Sequence, residues 1–219
     1  NAIPAKIAGV KKIVLASPKT SGKLDPAVLY AAKKVGVSEI LSIGGAQAIG
    51  SLAYIQRVNK IVGPGNIFVA SAKKELFGEV GLESMIAGPS EITILADNNS
   101  KIEHVLTSLI AQAEHDIRSQ CILITKSKKL ASEVNKKILI YLKNLPKKDI
   151  ALKSLKMNGL IIIVRKDTDI PEIINEIAPE HLEINIKNYK KYLDKIKNVG
   201  SICLGQFSPM AVTDYNAGT

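Results

Sequence analysis

The stretch Glu39-Ile40-Leu41-Ser42-Ile43-Gly44-Gly45-Ala46-Gln47 sets the reading of the whole chain. A short apolar run rich in strand-forming residues ends in a glycine pair, and an amphipathic segment over 47–56 follows at once. That is a strand feeding a helix through a tight turn. The same unit recurs on either side. Upstream, Lys12–Ala16 reads as a strand and 26–36 as a helix, whose start is marked by Asp25 as cap and Pro26 at the first helical position. Downstream, Lys60–Val62 reads as a strand, Gly63-Pro64-Gly65-Asn66 as its exit turn, and 67–77 as a helix.

The alternation is interrupted over Glu79–Glu91, where a Gly-Pro turn precedes a new strand at Ile92–Leu95. A boundary there gives two domains, 1–90 and 91–219. The second half repeats the plan, with strands near 120–125, 160–165, 182–186 and 201–204 and helices near 101–116, 128–145, 170–178 and 188–198. Ser100-Lys101-Ile102-Glu103 reads as a capping box. Strands separated by helices call for parallel sheets covered on both faces. The expected class is α/β, with two Rossmann-like three-layer α/β/α domains and mainly parallel sheets.

Composition narrows the function. At 219 residues and 46% hydrophobic content, a packed protein is expected. No uninterrupted apolar run reaches the roughly 18 residues a bilayer requires, and the first residues lack a leader pattern, so a soluble, cytoplasmic protein without a membrane partner is expected. The net charge of +10 invites a nucleic-acid reading. Only Arg57, Arg118 and Arg165 are arginines, against 27 lysines, and aromatics make up 4% with no Trp. Bidentate base readers and stacking platforms are therefore scarce, and nucleic acid is excluded as a partner. Cys121 and Cys203 lie in apolar strand-like runs and read as buried free thiols.

Several polar groups could carry chemistry, although each has a plain structural reading. The dinucleotide fingerprint G-x-G-x-x-G is absent. The two glycine turns still put backbone N–H groups, with Gln47 and Asn66, at the carboxyl ends of strands, where ligands of open α/β sheets bind. An ordinary strand-to-helix connection would look the same. Gln112 and His115, three apart on one helix face, could meet at a metal ion, or could simply be a polar helix end. Glu180-His181 stands at a helix-to-strand junction, where a general acid or base is plausible. His104 falls on the exposed side of its helix and is given no role. Asp214 is the one acid in the aperiodic stretch Phe207–Thr219.

Seven stretches, in order, resemble the histidinol dehydrogenase family: Asn1–Gly9, Gly44–Ile49, Gly63–Asn66, Ala87–Glu91, Gln112–His115, Pro179–Leu182 and Asp214–Thr219. The resemblance implies a homodimeric enzyme that oxidises L-histidinol to L-histidinal and then to L-histidine, with two NAD+ and a bound Zn2+ ion. By position it implies Gln112, His115 and Asp214 as zinc ligands, and Glu180 and His181 as the acid–base pair. It implies Gln47 and Asn66 as NAD contacts, and Ser90, Gln112, His115, His181 and Asp214 as substrate contacts. Thr213 stands where the family more often has glycine, and Asp116-Ile117-Arg118 where a proline is common. The family continues on both sides, with an upstream tyrosine at NAD and a downstream glutamate and final zinc histidine from the partner subunit. Residues 1–219 alone are therefore expected to be inactive. The competing reading is a catalytically silent Rossmann-like binding domain.

Overall fold

The computed structural model describes residues 1–83 and 90–213, and the chain divides into two compact units, Asn1–Gly88 and Pro89–Thr219. In the first unit the order is α1 (Ala2–Ile7), β1 (Val14–Ala16), α2 (Pro26–Val35), β2 (Glu39–Leu41), α3 (Gly45–Gly50), β3 (Lys60–Ile61), α4 (Ile67–Glu75) and β4 (Gly81–Leu82). Asp25 caps α2 by accepting from the Ala27 N–H at 2.7 Å, and Gly36 closes the helix in the left-handed conformation. The helix expected over 47–56 is α3 followed by a π turn over Ser51–Ile55. Neither α1 nor β4 is expected from the pattern. The four strands form two separate parallel ladders, β1 with β2 and β3 with β4. Ile49, Leu52, Ile61 and Leu76 make a small core, against which Val14, Ala16 and Leu41 are only partly buried.

The second unit runs β5 (Glu91–Ala96), α5 (Ile102–Ala113), β6 (Gln120–Thr125), α6 (Lys128–Leu142), α7 (Lys148–Asn158), β7 (Gly159–Ile163), α8 (Asp169–Ile177), β8 (His181–Ile184), α9 (Lys190–Leu193), β9 (Ser201–Leu204) and α10 (Met210–Val212). Its five strands form one parallel sheet in the order β7-β6-β5-β8-β9, with the first strand in the centre, the doubly wound arrangement. Period-two patterning divides the core. Ile92, Ile94, Cys121 and Leu123 pack against α5, α6 and α7, while Leu95, Ile122, Ile124, Leu182 and Ile184 pack against α8 and the segment carrying Tyr192 and Ile196. Each such side chain, fully buried, contributes about 1.5–3 kcal/mol before entropy is counted. Among the described residues no helix is long and apolar enough to cross a membrane.

Four local expectations are corrected here. The Ser100 hydroxyl does not cap α5; it donates to the Asn185 carbonyl at 2.7 Å and accepts from the Asp97 N–H, tying the exits of β5 and β8 together. The helix expected over 188–198 shrinks to α9 because Asn175 captures the following backbone, donating to Lys195 O at 2.8 Å and accepting from Lys197 N at 2.7 Å. An extra helix, α7, precedes β7. His104 is half-buried rather than exposed, with Nδ1 2.7 Å from the Gln206 carbonyl and its ring edge-on to Phe207.

Candidate active site

In the second unit the polar residues gather along the amino-terminal edge of the sheet. His181 is the first residue of β8, level with Ile92 of β5 and Ser201 of β9. Its Nδ1 lies 3.1 Å from the Ser201 hydroxyl, and its Nε2 lies 3.6 Å from Glu180 Oε1. The other Glu180 oxygen accepts from the Glu91 N–H at 3.3 Å. Ser90, directly before β5, is half-buried, and its carbonyl accepts from Gln120 N. Ser90, Glu180 and His181 therefore line one edge, held by backbone pairing rather than by loops.

A buried carboxylate supports this edge. Glu183, two residues along β8 and 2% exposed, accepts from the Met210 N–H at 2.8 Å. The Ser201 hydroxyl in turn lies 3.6 Å from the Met210 sulfur, so its side chain joins the His181 imidazole to the Met210 segment. Burial pushes the Glu183 carboxyl above the usual range, opposed by the Met210 N–H and by hydrogen bonds from Ser108 and Asn185. Nothing in the sequence pattern singles out Ser201 or Met210, and the one signal for Glu183 is a carboxylate two residues after His181 on the same strand.

The C-terminal end of α5 returns to the same edge. Gln112, in its last turn, is 7% exposed, and its amide nitrogen is buried without a hydrogen-bond partner. His115 is exposed one turn on, with its N–H bonded to the Gln112 carbonyl at 3.2 Å. An imidazole and a carboxamide within one helical turn are a donor pair that suits Zn2+, and the helix C-terminus favours a cation. Only the Gln112 side-chain oxygen could ligate a cation; the unpartnered atom is the amide nitrogen, a donor that a metal ion would not satisfy. Asp214, the third expected ligand, lies outside the described residues. Among the described residues no three His, Cys, Asp or Glu side chains converge as a metal site. Asp116 closes the following turn, accepting from Arg118 N at 2.8 Å and from its guanidinium at 2.9 Å. Cys121 is buried, and desolvation pushes its thiol up to about 12, which removes it as a nucleophile.

The first unit holds its candidate residues at the opposite, carboxyl, ends of its strands. Gly44 and Gly45 join β2 to α3; Gly45 sits at φ +66°, and a Cβ on Gly44 would come within 2.8 Å of Pro18. Gln47 is exposed in the first turn of α3. Asn66 caps α4, its side-chain oxygen accepting from Phe68 and Val69 N–H at 3.1 Å each, which leaves its NH2 group free to donate. Lys73, 6% exposed, reaches back from α4 to pair with Glu83 and to bond the Gly63 carbonyl, while Glu83 accepts from the Gly63 N–H at 2.8 Å. This half-buried pair braces the Gly63-Pro64-Gly65 turn. Its only trace in the sequence is a lysine on the apolar face that carries Val69 and Leu76.

Comparison with known proteins places the chain in a family. A histidinol dehydrogenase from Pelagibacter ubique is 55% identical over 223 residues, covering 100% of this chain and 52% of the relative. One from Listeria monocytogenes is 50% identical over 222 residues, with the same coverage. The crystal structure of histidinol dehydrogenase from Elizabethkingia anophelis superposes with a TM-score of 0.89 at 38% identity, covering 100% of this chain and 51% of that one. A structure described as a putative aldehyde dehydrogenase from Bacillus subtilis, at 13% identity and a TM-score of 0.51, shares the fold alone. The chain thus spans about half the length of the curated relatives it matches. With the histidinol dehydrogenase family model matching residues 1–219, the chain belongs to that family.

Proposed function

We propose that this chain carries the nucleotide-contacting turns and the acid–base pair of an NAD-dependent enzyme that oxidises L-histidinol, through L-histidinal, to L-histidine. The observation that carries the reading is the Glu180–His181 pair, with the imidazole held by Ser201 and its Nε2 toward a carboxylate. When bound, zinc supplies an anchor that orients the imidazole and amino groups of the substrate, and NAD+ supplies the hydride acceptor, one equivalent for each oxidation. Gln112, His115 and Asp214 would hold the metal, and Ser90 would contact the substrate.

His181 takes the hydroxyl proton at Nε2 in the first oxidation. In the second, the Glu180 carboxylate removes a proton from the water that adds to the aldehyde, and His181 takes a proton from the resulting gem-diol. Gln47 and the free amide N–H groups of Asn66 contact the nucleotide at the helix starts. The complete enzyme is a cytoplasmic homodimer on this reading. Bound zinc and NADH formation from histidinol, measured together on the complete polypeptide, test it; a folded protein with neither is a silent binding domain and ends the proposal.

A further inference from the structure

At the exit of β3 the backbone leaves its ladder. The register sets Lys60 level with Gly81 and Ile61 level with Leu82, so one step further Val62 stands level with Glu83. Gly63 then takes φ +122°, and its polar groups turn out of the ladder and need other partners. Two side chains supply them. One Glu83 oxygen accepts the Gly63 N–H at 2.8 Å, and the Lys73 ammonium donates both to the Gly63 carbonyl and to the other Glu83 oxygen. Holding the N–H and the carbonyl of one residue fixes the two peptide planes on either side of it. The conformation of a glycine, otherwise the freest residue in the chain, is thereby set.

Stability alone does not account for the pair. Lys73 stands between Val69 and Leu76 on the apolar face of α4 and is 6% exposed. A packed Leu or Met would serve that small core as well, because desolvating an ammonium offsets much of what its pairing gains. What an apolar side chain cannot supply is direction: a donor for the carbonyl and an acceptor for the N–H. The residues that follow extend the constraint, since a Cβ on Gly65 would collide with Val69 and Asn66 caps α4. Among the described residues, the N–H groups of Gly65, Asn66 and Ile67 have no hydrogen-bond partner. The turn is thus fixed through Gly63 while the donors after it stay available.

We propose that Lys73 and Glu83 are positioning residues for NAD+, which act by holding the Gly63–Asn66 turn in its binding conformation before the nucleotide arrives. The proposal rests on the assignment of that turn to the nucleotide made above. Free N–H groups and a carboxamide NH2 at a helix start suit the oxygens of a dinucleotide. A turn ordered in advance loses less freedom on binding, so affinity rises without a new contact. The Lys73 charge is already matched by Glu83, so the lysine acts through the turn and not as a phosphate-binding cation.

Calorimetric NAD+ binding to the complete polypeptide, in wild type and in the Lys73→Met and Glu83→Gln variants, tests this, with Km values for NAD+ and histidinol measured alongside. NAD+ should bind about tenfold more weakly to Lys73→Met and about threefold more weakly to Glu83→Gln, whose carboxamide still accepts the Gly63 N–H. The Km for histidinol should not change. If Lys73 met a phosphate directly, Glu83→Gln would release its charge and tighten NAD+ binding, which would overturn the proposal. Folded variants that melt lower yet bind NAD+ as wild type does would overturn it too, leaving the pair a structural tie. Should Lys73→Met fail to fold, the sign of the Glu83→Gln effect decides alone. Wild-type protein that binds no NAD+ would end the nucleotide assignment itself, and this proposal with it.

Discussion

The two units carry their polar residues at opposite ends of their strands. In the first, the candidate nucleotide residues lie where strands run into the N-termini of α3 and α4; in the second, the candidate acid–base and metal residues lie where α5 and α8 run back into strands. Helix N-termini present unpaired N–H groups and positive partial charge, which suits phosphate. Helix C-termini present carbonyls and negative partial charge, which suits a cation or a group that accepts protons. One βα alternation therefore offers two chemistries, chosen by which edge of the sheet bears the side chains. Among the described residues the units also differ in closure, since the second has a buried central strand and the first shows two separate two-stranded ladders.

That difference in closure should dominate stability. Ile94 lies in the central strand with 0% exposure, and Ile94→Ala should cost about 3 kcal/mol in urea unfolding. Val14→Ala, in a half-buried strand, should cost about 1 kcal/mol or less. Equal losses would break the contrast between a sealed and an open sheet. At the carboxyl-edge site, Asn66→Ala removes the α4 cap and should cost about 1 kcal/mol. Asn66→Asp retains the cap, so stability should hold while the Km for NAD+ rises; an unchanged Km would remove Asn66 from the nucleotide site.

The amino-edge site has a pH signature. Because burial raises the folded Glu183 carboxyl above its unfolded value, the stability it contributes is full below the ordinary carboxylate range and is lost as pH rises through the raised folded value. Glu183→Gln is neutral throughout and can still accept the Met210 N–H. Relative to wild type, the variant should therefore gain stability as pH rises from about 4, the unfolded carboxylate value. A difference that stays flat across that range would mean the carboxyl is not held protonated. The smallest effect is expected at the surface. Asp167 is held down to about 2 by hydrogen bonds from Lys126 and Lys191, yet all three side chains are at least 40% exposed. Asp167→Asn should shift stability by no more than about 1 kcal/mol, fading with salt.

Much of the fold is legible in local pattern. The apolar runs of β5 and β6, the Asp25-Pro26 start of α2 and the buried cysteines follow from residue type and spacing. What local pattern does not carry is decided by distant partners. Ser100 fits a capping box until the Asn185 carbonyl, 85 positions away, takes its hydroxyl. The lysine-rich α7 buries only Ala151 and Ser154 and so shows little apolar periodicity. At the site, the Gln112–His115 spacing is visible in the sequence, but the sheet edge it reaches depends on topology. The bracing pairs, Lys73 with Glu83 and Glu183 with Met210, join residues whose significance exists only in the folded chain.

The central claim is that Glu180 activates water beside a histidine that serves both oxidations. Single-turnover NADH formation by the Glu180→Gln variant of the complete enzyme, started separately from histidinol and from histidinal, tests it most directly. Only the second oxidation needs an activated water, so the rate from histidinal should fall by about a hundredfold or more while the first hydride transfer from histidinol changes little. Equal losses in the two steps would contradict the account.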